Sequence, residues 1–260
     1  MIKIGVFDSG LGGLSVLQHL RSALPRASFF YIADSVNAPY GDKSDSFIAE
    51  RSLAISNFLL AQQVSAIVVA CNTATAAAVQ LIRQQSPVPV VAIEPALKPA
   101  AKLSQSKKIG VLATESTLKS EKYQSLMSRV ADNIVFYQQA AHGLVEQVEA
   151  GVIDEAATRQ LLNQYLQPML AQGVDTIVLG CTHYPFLMPM IRQLVGEDLN
   201  IIDTGRAVSE QLLRVLAEDN QLPDYSTRQH RFFSSGDVQH AENMIARLLG
   251  ENVSVEKLSV

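Results

Sequence analysis

The chain has 260 residues, 48% of them hydrophobic and 18% charged, with a formal net charge of −4. This composition excludes a disordered chain, supports a substantial core, and suits two small lobes better than one simple domain. Lysine and arginine form no basic stripe, so nucleic acid is not the expected main partner, and no run reaches the roughly 18 apolar residues that a spanning helix needs.

Short apolar runs alternate with amphipathic segments along the chain. Ile2 to Phe7 reads as a first strand rather than a signal peptide, and the expected compartment is the cytoplasm. The strand runs into Asp8-Ser9-Gly10-Leu11-Gly12-Gly13, a glycine turn entering a helix. Without G-x-G-x-x-G spacing or a P-loop lysine, this turn is not expected to hold a nucleotide. Its glycines allow backbone to approach a small ligand, and Asp8 suits a helix cap, an ammonium partner or a group tuning Cys71. Phe29 to Ala33 is the second strand, followed by the Pro39-Tyr40-Gly41 loop and a helix over Ser44 to Gln62.

Ile67 to Ala70 is a third strand, leading through Cys71-Asn72-Thr73 into a helix over Thr75 to Gln85. Val88 to Ile93 is the fourth, and the prolines of Glu94-Pro95-Ala96-Leu97-Lys98-Pro99 mark a break in which Lys98 reads as solvated. Strands follow at Ile109 to Ala113, Ile134 to Tyr137, Thr176 to Leu179 and Asn200 to Asp203, with helices over Glu155 to Leu170 and Arg206 to Glu218. His142, Glu146 and Glu149 read as surface charge on a short helical stretch, and His19, His230 and His240 have no motif around them. Strands this continuously apolar are covered on both faces, which argues for α/β architecture with mainly parallel sheets.

The two halves repeat. Ile4-Gly5-Val6 returns as Ile109-Gly110-Val111 105 positions later, Ile67-Val68-Val69-Ala70-Cys71 returns as Ile177-Val178-Leu179-Gly180-Cys181 after 110, and Ile93-Glu94 returns as Ile202-Asp203 after 109. The expected fold is therefore two pseudosymmetric α/β lobes, residues 1–95 with 207–260 and residues 96–206. Ligands of open parallel sheets sit beyond the carboxyl ends of the strands, which puts the expected active site in the interlobe cleft.

A cysteine is by default a small buried hydrophobe, and two of them far apart in a reducing compartment are not expected to form a disulfide. Cys71 and Cys181, however, each end a strand and precede a helical pattern, where helix amides favour a thiolate. His183 stands close enough to Cys181 to orient or protonate it. Two matched thiols suit a reaction that is itself nearly symmetric, namely α-proton transfer between mirror images, with one base removing the proton and the opposite conjugate acid returning one. No metal or cofactor is required in principle. Strand-end amides and the hydroxyls of Ser9, Thr73 and Thr182 are candidates for stabilising charge.

Asp8-Ser9-Gly10-Leu11-Gly12-Gly13-Leu14, Tyr31-Ile32-Ala33-Asp34 with Pro39-Tyr40-Gly41, Ala70-Cys71-Asn72-Thr73-Ala74, Ile93 to Ala100 and Gly180-Cys181-Thr182-His183-Tyr184-Pro185 together resemble the glutamate racemase family, in the family's order. The resemblance implies that Cys71 and Cys181 are the two bases, with Asp8 assisting the first and His183 the second. It implies that Asp8, Ser9, Tyr40, Gly41, Asn72, Thr73, Thr182 and His183 contact glutamate. It also implies D-glutamate for peptidoglycan as product, no pyridoxal phosphate, and a homodimer. Ala140-Ala141-His142-Gly143-Leu144-Val145-Glu146 departs from the family's Cys-Pro version, so no function is carried over to Glu146 or Glu149. With the first strand beginning at residue 2, no activation by a peptidoglycan precursor is carried over either. The alternatives are an aspartate or hydantoin racemase on the same scaffold, a two-lobed amino-acid-binding protein, and a thiol-redox protein, the last disfavoured by the lack of a C-x-x-C pair.

Overall fold

The computed structural model describes residues 2–218 and 229–260. Part of the expected first-lobe segment, residues 219–228, lies outside the described residues. Contacts divide the chain into two units, Met1–Ile93 with Gly205–Val260, and Glu94–Thr204.

In chain order, the first unit begins with β1 (Lys3–Asp8), α1 (Leu14–Ala23), β2 (Ser28–Ala33), α2 (Asp45–Ala61), β3 (Ala66–Val69), α3 (Asn72–Gln85) and β4 (Val90–Ala92). The second unit consists of α4 (Leu97–Leu103), β5 (Lys108–Ala113), α5 (Glu115–Lys119), α6 (Glu121–Ser128), β6 (Val135–Ala140), α7 (Leu144–Glu149), α8 (Ala156–Leu170), β7 (Thr176–Leu179), α9 (Met188–Val195) and β8 (Asn200–Ile202). The chain returns to the first unit with α10 (Gly205–Glu218), β9 (Arg231–Ser234), α11 (Val238–Leu249) and β10 (Val255–Lys257). No described helix is long and apolar enough to cross a membrane.

Both sheets are parallel throughout, with order β10-β9-β2-β1-β3-β4 in the first unit and β6-β5-β7-β8 in the second. The second order is the first with its two C-terminal strands removed, and the repeat extends to register. Gly5 pairs with Ile67 as Gly110 pairs with Ile177. Each glycine lets a helix side chain lie on its strand: an added Cβ would stand 2.9 Å from Leu59 of α2 in one unit and 2.8 Å from Met169 of α8 in the other.

The helices follow from their ends as much as from their apolar faces. Ser44 caps α2 by accepting the Phe47 amide at 3.3 Å, satisfying one of the four amides that a helix start leaves without a carbonyl. The expected helix over residues 44–62 is thus α2 with both of its caps. β1 and β3 are buried along nearly their whole length, as strands with helices on both faces must be.

Candidate active site

In the first unit the carboxyl ends of β1 and β3 lie side by side. The register that pairs Phe7 with Val69 sets Asp8 next to Ala70, and the Ala70 amide donates to the Phe7 carbonyl at 2.8 Å. Asp8 has no exposed surface, and its carboxylate accepts the Gly10 amide at 2.8 Å, closing the glycine turn. Cys71 is the N-cap of α3, where its Sγ accepts the Ala74 amide at 3.4 Å and its carbonyl accepts the Thr75 amide at 2.9 Å. The thiol also reaches Ser9 Oγ at 3.7 Å. A cap position joins a free helix amide to the positive end of the helix dipole, and both favour sulfur in its anionic form.

Asn72 and Thr73 follow in the first turn of α3, both buried. Among the described residues, neither the amide nitrogen nor the carbonyl oxygen of the Asn72 side chain has a hydrogen-bond partner, a condition that costs about 1–3 kcal/mol per buried group. Tyr40 and Gly41 open a short 3-10 turn, Tyr40–Asp42, and the fully buried Tyr40 ring shares a core cluster with Cys71. Burial first, then the Asp34 charge and hydrogen bond, push the Tyr40 hydroxyl far above its ordinary pKa, and a charge on Cys71 pushes it the same way. This part of the sequence reading is assembled in one place: Asp8, Ser9, Tyr40, Gly41, Asn72 and Thr73 belong to neighbouring segments around Cys71.

The second unit repeats the backbone but not the cap. The Gly180 amide donates to the Leu112 carbonyl at 2.8 Å, the counterpart of the Ala70 bond, and Cys181 is buried like Cys71. No α-helix starts at Cys181, however. Thr182 and His183 form a turn, and a 3-10 segment over Tyr184–Leu187 precedes α9. The sequence suggested the same helix-terminus device twice, and here it is replaced: Pro185 enters a 3-10 turn, and the thiol meets a side chain instead of a helix amide.

That side chain is His183, with Nδ1 3.6 Å from Cys181 Sγ and Nε2 2.6 Å from Glu149 Oε1 of α7. Burial opposes a charged imidazole, but the hydrogen bonds to Cys181 and Glu149 and the negative charge on both raise the His183 pKa well above its ordinary value. The result is a thiol–imidazole–carboxylate relay in which the carboxylate fixes the ring and favours the imidazolium. Tyr184, fully buried, donates to the Ala141 carbonyl at 3.2 Å and pins the segment leading into α7. Gly143, at φ +82°, turns the chain into that helix.

The surface-charge reading therefore holds for exposed Glu146 and fails for Glu149, which sits one turn after Val145 on the buried side of α7. An acidic residue four positions after Val145 and next to Val148, both buried, was the available signal. Lys98 is exposed, as read, and His142 is also exposed, 3.5 Å from Glu115.

Two parallel α/β units with matched strand-end thiols define a class, and the comparisons agree with it. The Asp/Glu/hydantoin racemase family model matches residues 4–212, and the chain belongs to that family. It is 49% identical over 253 residues to a glutamate racemase of Ectopseudomonas mendocina, covering 97% of this chain and 96% of that one. Among solved structures, it matches a glutamate racemase isoform from Bacillus anthracis at 34% identity and TM-score 0.91, covering 100% of this chain and 98% of that one. It matches the Escherichia coli glutamate racemase, in complex with L-glutamate and an activator, at 33% identity and TM-score 0.89, with coverage of 100% and 98%.

Proposed function

We propose that the chain interconverts L- and D-glutamate without a cofactor, Cys71 serving one face of the α-carbon and Cys181 the other. One thiolate takes the α-proton, the C–H electron pair passes into the adjoining carboxylate, and the opposite thiol returns a proton to the same carbon. The thiol and thiolate have then exchanged roles, and the enzyme is primed for the mirror-image substrate.

The observation that carries this reading is the duplicated placement of the two cysteines, each one residue beyond an equivalent backbone bond at the end of an equivalent strand. Acid–base catalysis supplies about 10²- to 10⁴-fold, and preorganised donors around the developing carboxylate charge supply the rest. Asp8 assists Cys71, and His183 assists Cys181. Asp8, Ser9, Tyr40, Gly41, Asn72, Thr73, Thr182 and His183 contact the amino acid, and the unpaired amide of Asn72 is the kind of group that a bound carboxylate or ammonium satisfies. Residues 1–95 with 207–260 and residues 96–206 act as the two halves, in the cytoplasm, and the D-glutamate goes to peptidoglycan.

The test is α-deuteration of each glutamate enantiomer in D₂O by wild type, Cys71→Ser and Cys181→Ser. Wild type exchanges both enantiomers, and each variant loses racemisation while washing out the α-proton of at most one. Racemisation at the wild-type rate in both variants sinks the two-base mechanism. A wild type that leaves glutamate unexchanged sinks the substrate assignment.

A further inference from the structure

Asp34, at the carboxyl end of β2, has no exposed surface, and four side chains converge on its carboxylate, those of Arg51, Tyr40, Asn37 and Ser235. Arg51 of α2 holds it with a fork, Nη2 to Oδ1 at 2.7 Å and Nε to Oδ2 at 3.0 Å. Tyr40 Oη donates to Oδ2 at 2.7 Å, and Asn37 Nδ2 donates to the same oxygen at 3.0 Å. Arg51 spends a further donor, Nη1, on the backbone oxygen of Val260 at 2.7 Å, which helps fix the guanidinium itself.

A buried ion pair is a weak device for stability, since apolar residues of similar volume often hold a fold as well. It is a strong device for geometry. The fork sets the plane of the carboxylate, the plane sets the direction from which Oδ2 accepts, and that direction sets the Tyr40 hydroxyl. Tyr40 is the first residue of the turn that carries Gly41, and its ring packs in the cluster that contains Cys71.

We infer that Arg51, acting through Asp34, is a positioning residue that holds the Tyr40–Asp42 turn in its glutamate-binding geometry beside Cys71. The inference rests on the function proposed above. The hydrogen bonds of Arg51 go to Asp34 and Val260, so it acts on substrate binding through the orientation of Tyr40.

Arg51→Met, Arg51→Lys and Tyr40→Phe, with Arg21→Met as a control that breaks the partly exposed pair with Glu251, separate this role from a structural one. KM and kcat are measured with both enantiomers beside thermal unfolding. Arg51→Met raises KM for both enantiomers about tenfold with a smaller change in kcat, the size expected for losing a charge-assisted hydrogen bond in the bound state. Arg51→Lys keeps the charge and the folded state but not the fork, so its KM stays high. Tyr40→Phe removes only the hydroxyl and raises KM in the same direction, keeping the test open if Arg51→Met does not fold. Arg21→Met lowers the unfolding temperature without moving KM. A wild-type KM in Arg51→Lys, or a KM that moves only in step with unfolding temperature across all four variants, overturns the inference. A wild type inactive on glutamate overturns the functional reading and the inference with it.

Discussion

Replacing Glu149 by Gln tests the relay behind Cys181 with little change in shape. Glutamine matches glutamate in size and still reaches His183 Nε2, now 2.6 Å from a carboxylate oxygen, but it carries no charge to favour the imidazolium. A hydrogen bond to a charged group is worth about 1.5–3 kcal/mol, so kcat falls about 10- to 100-fold. The pH profile supplies a second readout. His183 titrates well above its ordinary value, because the hydrogen bonds and charges of Cys181 and Glu149 outweigh burial. The imidazolium then persists as pH rises, and its stabilising contribution is complete below the ordinary histidine pKa and lost as pH passes through the raised folded value. Without the carboxylate the folded value drops, so the alkaline limb of kcat shifts to lower pH. Polarimetric initial rates in both directions, across neutral and alkaline pH, measure both effects. A Glu149→Gln enzyme within about twofold of wild-type kcat, less than 1 kcal/mol of barrier, with an unmoved alkaline limb refutes the relay.

Two stability predictions follow from the same structure. Gly5→Ala and Gly110→Ala each force a methyl group into a helix side chain and cost about 1–3 kcal/mol, measured by chemical denaturation. Gly5→Ala is the worse of the two, because its Cβ meets three atoms of branched Leu59 at 2.9 to 3.2 Å whereas Gly110 is crowded closely only by the flexible Met169 sulfur; the reverse order contradicts this reading of the repeat. Asp175 accepts Ser104 Oγ at 2.6 Å and the amides of Gln105 and Ser106 at 2.8 and 2.7 Å. Burial works against the charged form, but these bonds and that of Thr176 hold the Asp175 pKa down at about 2. Its contribution is therefore present above the ordinary aspartate value and lost as pH falls toward 2. Asp175→Asn lowers Tm at neutral pH by about 2–4 °C and flattens the dependence of Tm on pH at the acid end; an unchanged acid limb contradicts the assignment.

Much of this was legible because parallel strands write themselves plainly. Covered on both faces, they appear as unbroken apolar runs, and the repeated Ile-Gly-Val and strand-Cys units could be aligned by eye. The strands β9 and β10 went unread because runs of four and three residues carry little periodicity, and α11 went unread although its buried Ala241, Met244, Ile245 and Leu248 have helical spacing. The geometry around Cys71 was legible for a local reason: cap, turn and helix are contiguous, so spacing fixes it. Glu149 was not, because its partner lies 34 positions away and a lone acid on a short helix usually faces water. Asp34 and Arg51 stood inside recognised or amphipathic segments, but the pairing of a strand end with the second turn of α2 is a tertiary fact with no spacing rule.

The two units share a backbone, and on the proposed two-base mechanism they differ in how they handle a proton. At the shared offset, Thr73 of α3 stands where the second unit has His183, and the change coincides with the loss of the helix start. A helix amide and dipole at Cys71 act at any pH, whereas the imidazole at Cys181 titrates. The enantiomers themselves have equal free energy, so kcat/KM must be the same in both directions however unlike the halves are. What the asymmetry can set is how kcat and KM divide that common ratio, and the proposed mechanism has it do so through the protonation state of His183. Raising the pH through the His183 titration therefore changes the kcat ratio of the two directions and the KM ratio by the same factor. Substitutions at Ser9, whose hydroxyl lies 3.7 Å from Cys71 Sγ, shift both ratios by a factor that does not vary with pH and leave the His183 dependence in place.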